Sequence, residues 1–237
     1  MSDKLNEYHQ KQFIELKRST VRFVDWLDEK ILNTISGGGG GVLDMACGAA
    51  ANTFYMAEKY PNINFTGIDY EKSYLDLCEK TAPNVSLEQG DWYDLDKKYI
   101  GQFDGIVSFQ SLSWLHDYQE PIMKLCELQP NWIALSSLFF DGKINFYIKV
   151  CDQETNIGAL GKEKALYYNI YSLPMIKELF AEYGYTHFEY KKFEIDIDLP
   201  KPEKPRLGTY TVQTVEGERL QISAALLMPW YFVLARK

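Results

Sequence analysis

The chain has 237 residues, 46% hydrophobic and 15% aromatic, enough apolar material for one well-packed α/β domain with additions or two small ones and too much for global disorder. A formal net charge of −8 argues against DNA, RNA or an anionic membrane as partner, because phosphate surfaces repel an acidic protein. The four cysteines, Cys47, Cys78, Cys126 and Cys151, form no CxxC pair and no metal-ligand spacing, so buried free thiols, a reducing cytoplasm and no metal are expected.

The opening seven residues are polar and acidic and no apolar run is long enough to cross a bilayer, so neither a leader nor a membrane span is expected. Residues 4–34 read as helical, with Phe13, Leu16, Phe23, Val24, Leu27 and Ile31 at helical spacing and a break near Arg18 to Thr20. The five glycines at 37–41 cannot hold a helix and read as a connection. As a phosphate cradle they lack a strand before them and a Lys-Ser/Thr after them.

Strands and helices then alternate: strand 42–46, helix 50–60 stopped by Pro61, strand 63–68, helix 71–80, strand 85–87, strand 103–109, helix 121–128 and strand 132–140. That rhythm predicts a parallel sheet with helices on both faces. Asp141-Gly142 between apolar runs 135–140 and 144–150 predicts a hairpin. Residues 152–166 read as irregular or helical. A helix follows from Ser172 as cap, with Pro174 in its first turn and Gly184 closing it. A long strand is predicted over 187–199, a second hairpin about Glu216-Gly217, and a last strand over 229–234. Lys201, Lys204 and Arg206 read as a solvated basic loop.

Two of these strand ends carry chemistry. The first strand holds Asp44 and runs through Ala46, Gly48 and Ala50 into a helix; the second ends in Asp69-Tyr70. In an open α/β sheet such ends meet at the carboxyl edge, where ligands bind. Small residues let the backbone approach a ligand closely, and an acid at the second strand end accepts from both hydroxyls of a ribose. A ligand carrying adenosine is therefore expected.

The order resembles the class I S-adenosylmethionine-dependent methyltransferases. The residues carrying the resemblance are Val42-Leu43-Asp44-Met45-Ala46-Cys47-Gly48, Phe65-Thr66-Gly67-Ile68-Asp69, Gln89-Gly90-Asp91-Trp92 and Phe103-Asp104-Gly105-Ile106-Val107-Ser108. It implies a Rossmann-like, doubly wound, mostly parallel seven-stranded sheet with an antiparallel C-terminal strand, an N-terminal helical lid and added β-hairpins. One domain is expected over 1–237: the lid at 1–36, a cofactor-binding half at 37–140, and acceptor-binding insertions with the C-terminal strands at 141–237. Ala46 and Ala50 depart from the family pattern by standing in place of glycines, and alanine does not freely adopt positive φ.

The resemblance implies S-adenosylmethionine as cofactor, held by Gly48, Ala46, Asp69 and Tyr70. Asp44 accepts from its ammonium or supports the turn; Asp91 takes the adenine amino group, and Trp92 stacks on the ring or packs in the core. Phe109 and Gln110 flank the sulfonium, and Arg18 pairs with the cofactor carboxylate if the first helices fold over the pocket, weighed against a solvated surface arginine. His116, just past the fourth strand, is the candidate general base, weighed against a histidine simply paired with Asp117. Tyr8, Tyr168, Asn169 and Trp230 are candidate contacts to a small-molecule acceptor, each weighed against packing. The expected reaction is methyl transfer to an oxygen or nitrogen of a small molecule or sugar-like metabolite; the oligomeric state is not indicated. The rivals are an NAD(P)-dependent oxidoreductase, which needs the glycines missing here, and a non-catalytic cofactor-binding member of the fold.

Overall fold

The computed structural model describes residues 11–35, 40–151, 166–204 and 207–237. Its main sheet runs in the order β3 (Val85–Gln89), β2 (Asn64–Asp69), β1 (Gly41–Met45), β4 (Gly105–Phe109), β5 (Trp132–Phe140), β13 (Trp230–Arg236) and β9 (His187–Lys192). The first five strands pair in parallel, and β13 runs antiparallel between β5 and β9. This is the doubly wound sheet the sequence predicts, with a short eighth strand, β8 (Tyr171–Ser172), added at the end of β5. The strand order reverses beside β1, where β2 leaves on one side and β4 on the other, so the crevice opens at their carboxyl ends.

Alternation along the strands divides the core between the two faces. Val42 faces α1 (Arg18–Leu27), which buries Phe23, Val24, Trp26 and Leu27 against Phe109, Trp230 and Phe232. Leu43 and Met45 face the other side, with Ile122 and Leu125 of α4 (Gln119–Glu127) and Ile176 and Phe180 of α5 (Leu173–Glu182). Each such side chain contributes about 1.5–3 kcal/mol by leaving water. Gly105 opens β4 because a Cβ there would lie 1.9 Å from the Trp132 ring. The helical lid breaks as expected: residues 11–14 are helical, Lys17 caps a new start at Arg18, and a π-helical turn, Asp28–Leu32, follows α1.

Between β1 and β2 lies α2 (Ala51–Lys59). The predicted helix at 71–80 is only α3 (Lys72–Leu75), after which Leu77 and Cys78 bond back to Tyr74 and Leu75 in tighter turns. The hairpin about Asp141-Gly142 does not form. A hairpin needs a free edge, and β5 has none: β4 and β8 pair with it in parallel and β13 pairs with it antiparallel. Phe146 bridges Ile170 instead, and β6 (Lys149–Val150) pairs with β7 (Leu166–Tyr167). The strand predicted over 187–199 leaves the sheet after Lys192, turning Phe193 and Ile195 into the core under the lid.

The second hairpin forms as predicted from β10 (Thr209–Gln213) and β11 (Arg219–Ser223), turning at Gly217 with φ 86, and gains β12 (Leu226–Leu227). Ser172 Oγ caps α5 at the Met175 N–H, and Gly184 ends it at φ 85. The expectation for 152–166 falls outside the described residues except for Leu166, as do most of the glycine tract and Arg206. Among the described residues no helix is long and apolar enough to cross a membrane. Cys47, Cys78 and Cys126 are free thiols.

Candidate active site

The turn after β1 has a left-handed backbone at Ala46 (φ 61), Gly48 (φ 60) and Ala50 (φ 65). The two alanines adopt the glycine conformation despite their methyl groups, at roughly 1–2 kcal/mol each. Bonds on both sides hold them there: Cys47 N–H donates to Ile68 O at 3.0 Å, and Ala50 N–H to Cys47 O at 2.9 Å. The Ala50 methyl is fully buried beside Cys47 and Phe54, which offsets part of its strain.

Asp69 sits at the carboxyl tip of β2. Its Oδ2 accepts from Gly48 N–H at 2.7 Å and its Oδ1 from Glu71 N–H at 2.9 Å. Two backbone donors fix the carboxylate and leave each oxygen a further lone pair. Burial pushes its pKa up, opposed by these two N–H groups. Glu71, not Asp69, caps α3.

Asp44 is fully buried. Thr53 Oγ1 donates to its Oδ2 at 2.6 Å, so it does support the turn. Its Oδ1 has no partner, an orphaned acceptor that a cationic donor in the crevice would relieve. Burial, opposed by Thr53 and reinforced by Asp69, raises its pKa to about 7.

Around the adenine side, Tyr70 stands 68% exposed beside Asp69, and Asp91 Oδ1 accepts from Tyr93 N–H, shaping the loop after β3. Trp92 does not offer its ring to a ligand: it is buried, and its indole N–H donates to Pro121 O at 2.8 Å. Phe109 is likewise buried, edge-on to Phe23 of the lid at 5.3 Å. Gln110, left-handed at φ 59, receives Lys17 Nζ on its Oε1 at 2.7 Å and donates to Ser19 Oγ at 2.5 Å.

Arg18 is a correction. Both its forks bind Asp196, which also takes Arg22, and this pair of cations holds that carboxylate well below its usual range. The lid does reach the site, but through Lys17 and Ser19. The signal for this was the helix break itself, which turns Arg18 onto the new helix and leaves Lys17 just before it. Tyr8 lies outside the described residues.

On the acceptor side, three predicted contacts prove structural. Tyr168 is buried with its ring 4.8 Å from Trp114. Trp230 is buried in the core opposite Leu138. Asn169 is fully buried, its amide donating to Leu115 O at 2.8 Å and to Tyr171 Oη at 2.9 Å and accepting from Ile148 N–H at 2.9 Å. Both its amide N–H donors are committed within the fold; it pins the loop after β4. That loop presents His116, whose Nε2 lies 2.7 Å from Asp117 Oδ2 and whose Nδ1 lies 2.9 Å from Tyr93 Oη. Sequence reasoning missed Lys17, Thr53 and Tyr93, because each acts across the fold rather than within a motif.

Residues 42–127 match the family model described as a methyltransferase domain. By that match this segment is similar to methyltransferase domains. Among relatives of the chain, an uncharacterized protein of Rickettsia prowazekii is 35% identical, over 40% of this chain and 41% of that one. Trans-aconitate 2-methyltransferase of Deinococcus radiodurans is 31% identical, over 39% and 35% respectively. The chain thus spans about two fifths of the length of these curated relatives. The methyltransferase fold also overlays coclaurine N-methyltransferase bound to N-methylheliamine and SAH, with a TM-score of 0.54 at 17% identity, over 76% of this chain and 52% of that one.

Proposed function

We propose that this domain binds S-adenosylmethionine across the carboxyl ends of β1, β2 and β4 and transfers its methyl group to an oxygen or nitrogen of a small molecule or sugar-like metabolite in the cytoplasm. The carboxylate of Asp69 carries this reading. It is fixed by Gly48 and Glu71 N–H groups and keeps an acceptor site on each oxygen, which suits a vicinal ribose diol. Asp44 Oδ1, buried without a partner, suits the cofactor's amino group. Lys17 supplies the cation for its carboxylate, in the role the sequence suggested for Arg18. Tyr70 is the exposed ring for adenine.

The cofactor supplies an electrophilic methyl group on a sulfonium. The chain supplies alignment and a dry site, which together account for several powers of ten in rate. Lys17, Ser19 and Gln110 close one wall, Phe109 under Phe23 keeps it apolar, and the His116 imidazole is the base on which proton removal from the acceptor ends. The lid and the inserted strands β6 to β7 and β10 to β12 favour a small acceptor, and the free cysteines favour a reducing compartment.

Calorimetry tests the cofactor: S-adenosylhomocysteine is expected to bind and NAD is not. A panel of hydroxyl- and amine-bearing metabolites with methyl-labelled S-adenosylmethionine then tests transfer. Heat with NAD alone overturns the reading in favour of the oxidoreductase; cofactor binding without transfer to any acceptor favours the non-catalytic member.

A further inference from the structure

Tyr93 and His116 come from different loops, after β3 and after β4, and both loops border the crevice at the carboxyl edge of the sheet. Their rings stack with centroids 5.3 Å apart at 22°, and Tyr93 Oη lies 2.9 Å from His116 Nδ1. On the far side of the imidazole, Nε2 lies 2.7 Å from Asp117 Oδ2. The other oxygen of Asp117 is buried and has no partner, so among the described residues no other donor competes with the imidazole for this carboxylate. A carboxylate accepts, so in the neutral imidazole Nε2 carries the proton and Nδ1 is the basic nitrogen. Tyr93 therefore donates its hydroxyl to Nδ1 and covers it. His116 cannot take a proton from a substrate directly while that bond stands.

We propose that Tyr93 is a catalytic residue of the methyltransferase, the hydroxyl through which an acceptor's proton passes to a His116–Asp117 pair. This rests on the methyltransferase reading above. In the step, written for a hydroxyl acceptor, the O–H bond breaks and its proton joins Tyr93 Oη while the tyrosine's own proton moves to His116 Nδ1. The electron pair left on the acceptor oxygen forms the new bond to the methyl carbon as the bond from that carbon to sulfur breaks, its pair staying with the departing thioether. The charge on the imidazolium is held by Asp117.

The surroundings fit a relay rather than a resting phenolate. Burial, together with Asp117, Glu120 and Asp91, pushes the Tyr93 pKa up, so tyrosine passes a proton on without storing the negative charge. The bonds from Asn169 to the carbonyls of Leu115 and His116 keep the histidine loop in register with Tyr93.

Nitrogen NMR of histidine-labelled protein, with His116 assigned from H116Q, is the test. Neutral His116 is expected to carry its proton on Nε2. Tyr93→Phe, which keeps the stacked ring, is expected to shift the Nδ1 signal, and Asp117→Asn to mix the two tautomers. S-adenosylhomocysteine should bind wild type and Y93F within about twofold of each other. With a hydroxyl acceptor, Y93F should lower kcat by about 100-fold or more and leave KM near wild type. A proton on Nδ1, an Nδ1 signal indifferent to Y93F, or full kcat in Y93F overturns the relay. Loss of cofactor binding in wild type itself would instead overturn the methyltransferase reading, and the tautomer experiment would still report on the triad alone.

Discussion

The two walls of the crevice are built by different means. On the cofactor side, the turn at 46–50 and the tip of β2 are joined by backbone N–H groups meeting one carboxylate, Asp69, whose partners lie 21 and 2 residues away. On the acceptor side, the loop after β4 is held from far along the chain: the Asn169 amide reaches carbonyls 54 and 53 residues away, Tyr171 Oη donates to Leu115 O, and Ser137 Oγ accepts from Ser113 N–H. A wall made of local backbone leaves a motif in the sequence. A wall made of scattered long-range side chains leaves none.

Five experiments would break or sharpen that contrast. Asp69→Ala should weaken S-adenosylhomocysteine by at least about 100-fold in calorimetry, since bonds to a charged group contribute about 1.5–3 kcal/mol each. Retained affinity would mean the cofactor wall is held elsewhere.

Asn169→Ala should lower stability by about 2–4 kcal/mol in urea unfolding, through several buried polar groups left unpaired, while S-adenosylhomocysteine affinity stays within about threefold. A matching loss of affinity would show that the two walls are one unit.

A third effect concerns Asp44, whose pKa burial raises to about 7. The folded protein keeps this proton to about pH 7, whereas the unfolded chain loses it near pH 4. Stability from this group is therefore present below about pH 4, falls as pH rises to about 7 and is level above, by an amount on the order of 4 kcal/mol. Urea unfolding of wild type and D44N across pH 4–8 should show that decline only in wild type.

Lys17→Ala should weaken S-adenosylhomocysteine about tenfold, the loss of about 1.4 kcal/mol expected for one partly exposed charge contact, whereas Arg18→Ala should change it less than about twofold. The reverse order would restore the sequence expectation for Arg18.

The smallest effect separates the two alanines. Ala46→Gly should gain up to about 1 kcal/mol by relieving positive φ. Ala50→Gly should be near neutral, because it also removes a buried methyl from beside Phe54. Thermal unfolding of the two variants checks both.

The sequence carried the architecture because hydrophobic period, strand-ending acids and small-residue turns are local signals. β1 to β5, the cap at Ser172 and the turn at Gly217 all follow from neighbours within a few residues. The hairpin at Asp141-Gly142 failed for a reason no local pattern contains: both edges of β5 were already occupied by strands from elsewhere in the chain. Trp92 and Trp230 show the same limit, since a tryptophan suits a core and a ligand platform equally until burial decides.

The amino-acid order by itself determined the doubly wound sheet, the Asp69 carboxylate at its edge and hence the cofactor class, because those depend on periodicity and on residues that stay close along the chain. Tertiary structure alone decided that Lys17 rather than Arg18 meets Gln110, that Asn169 is a strut, and that Tyr93 covers His116. Each of those outcomes is a competition among distant groups for the same hydrogen bonds, and only packing in three dimensions determines which partner is within reach.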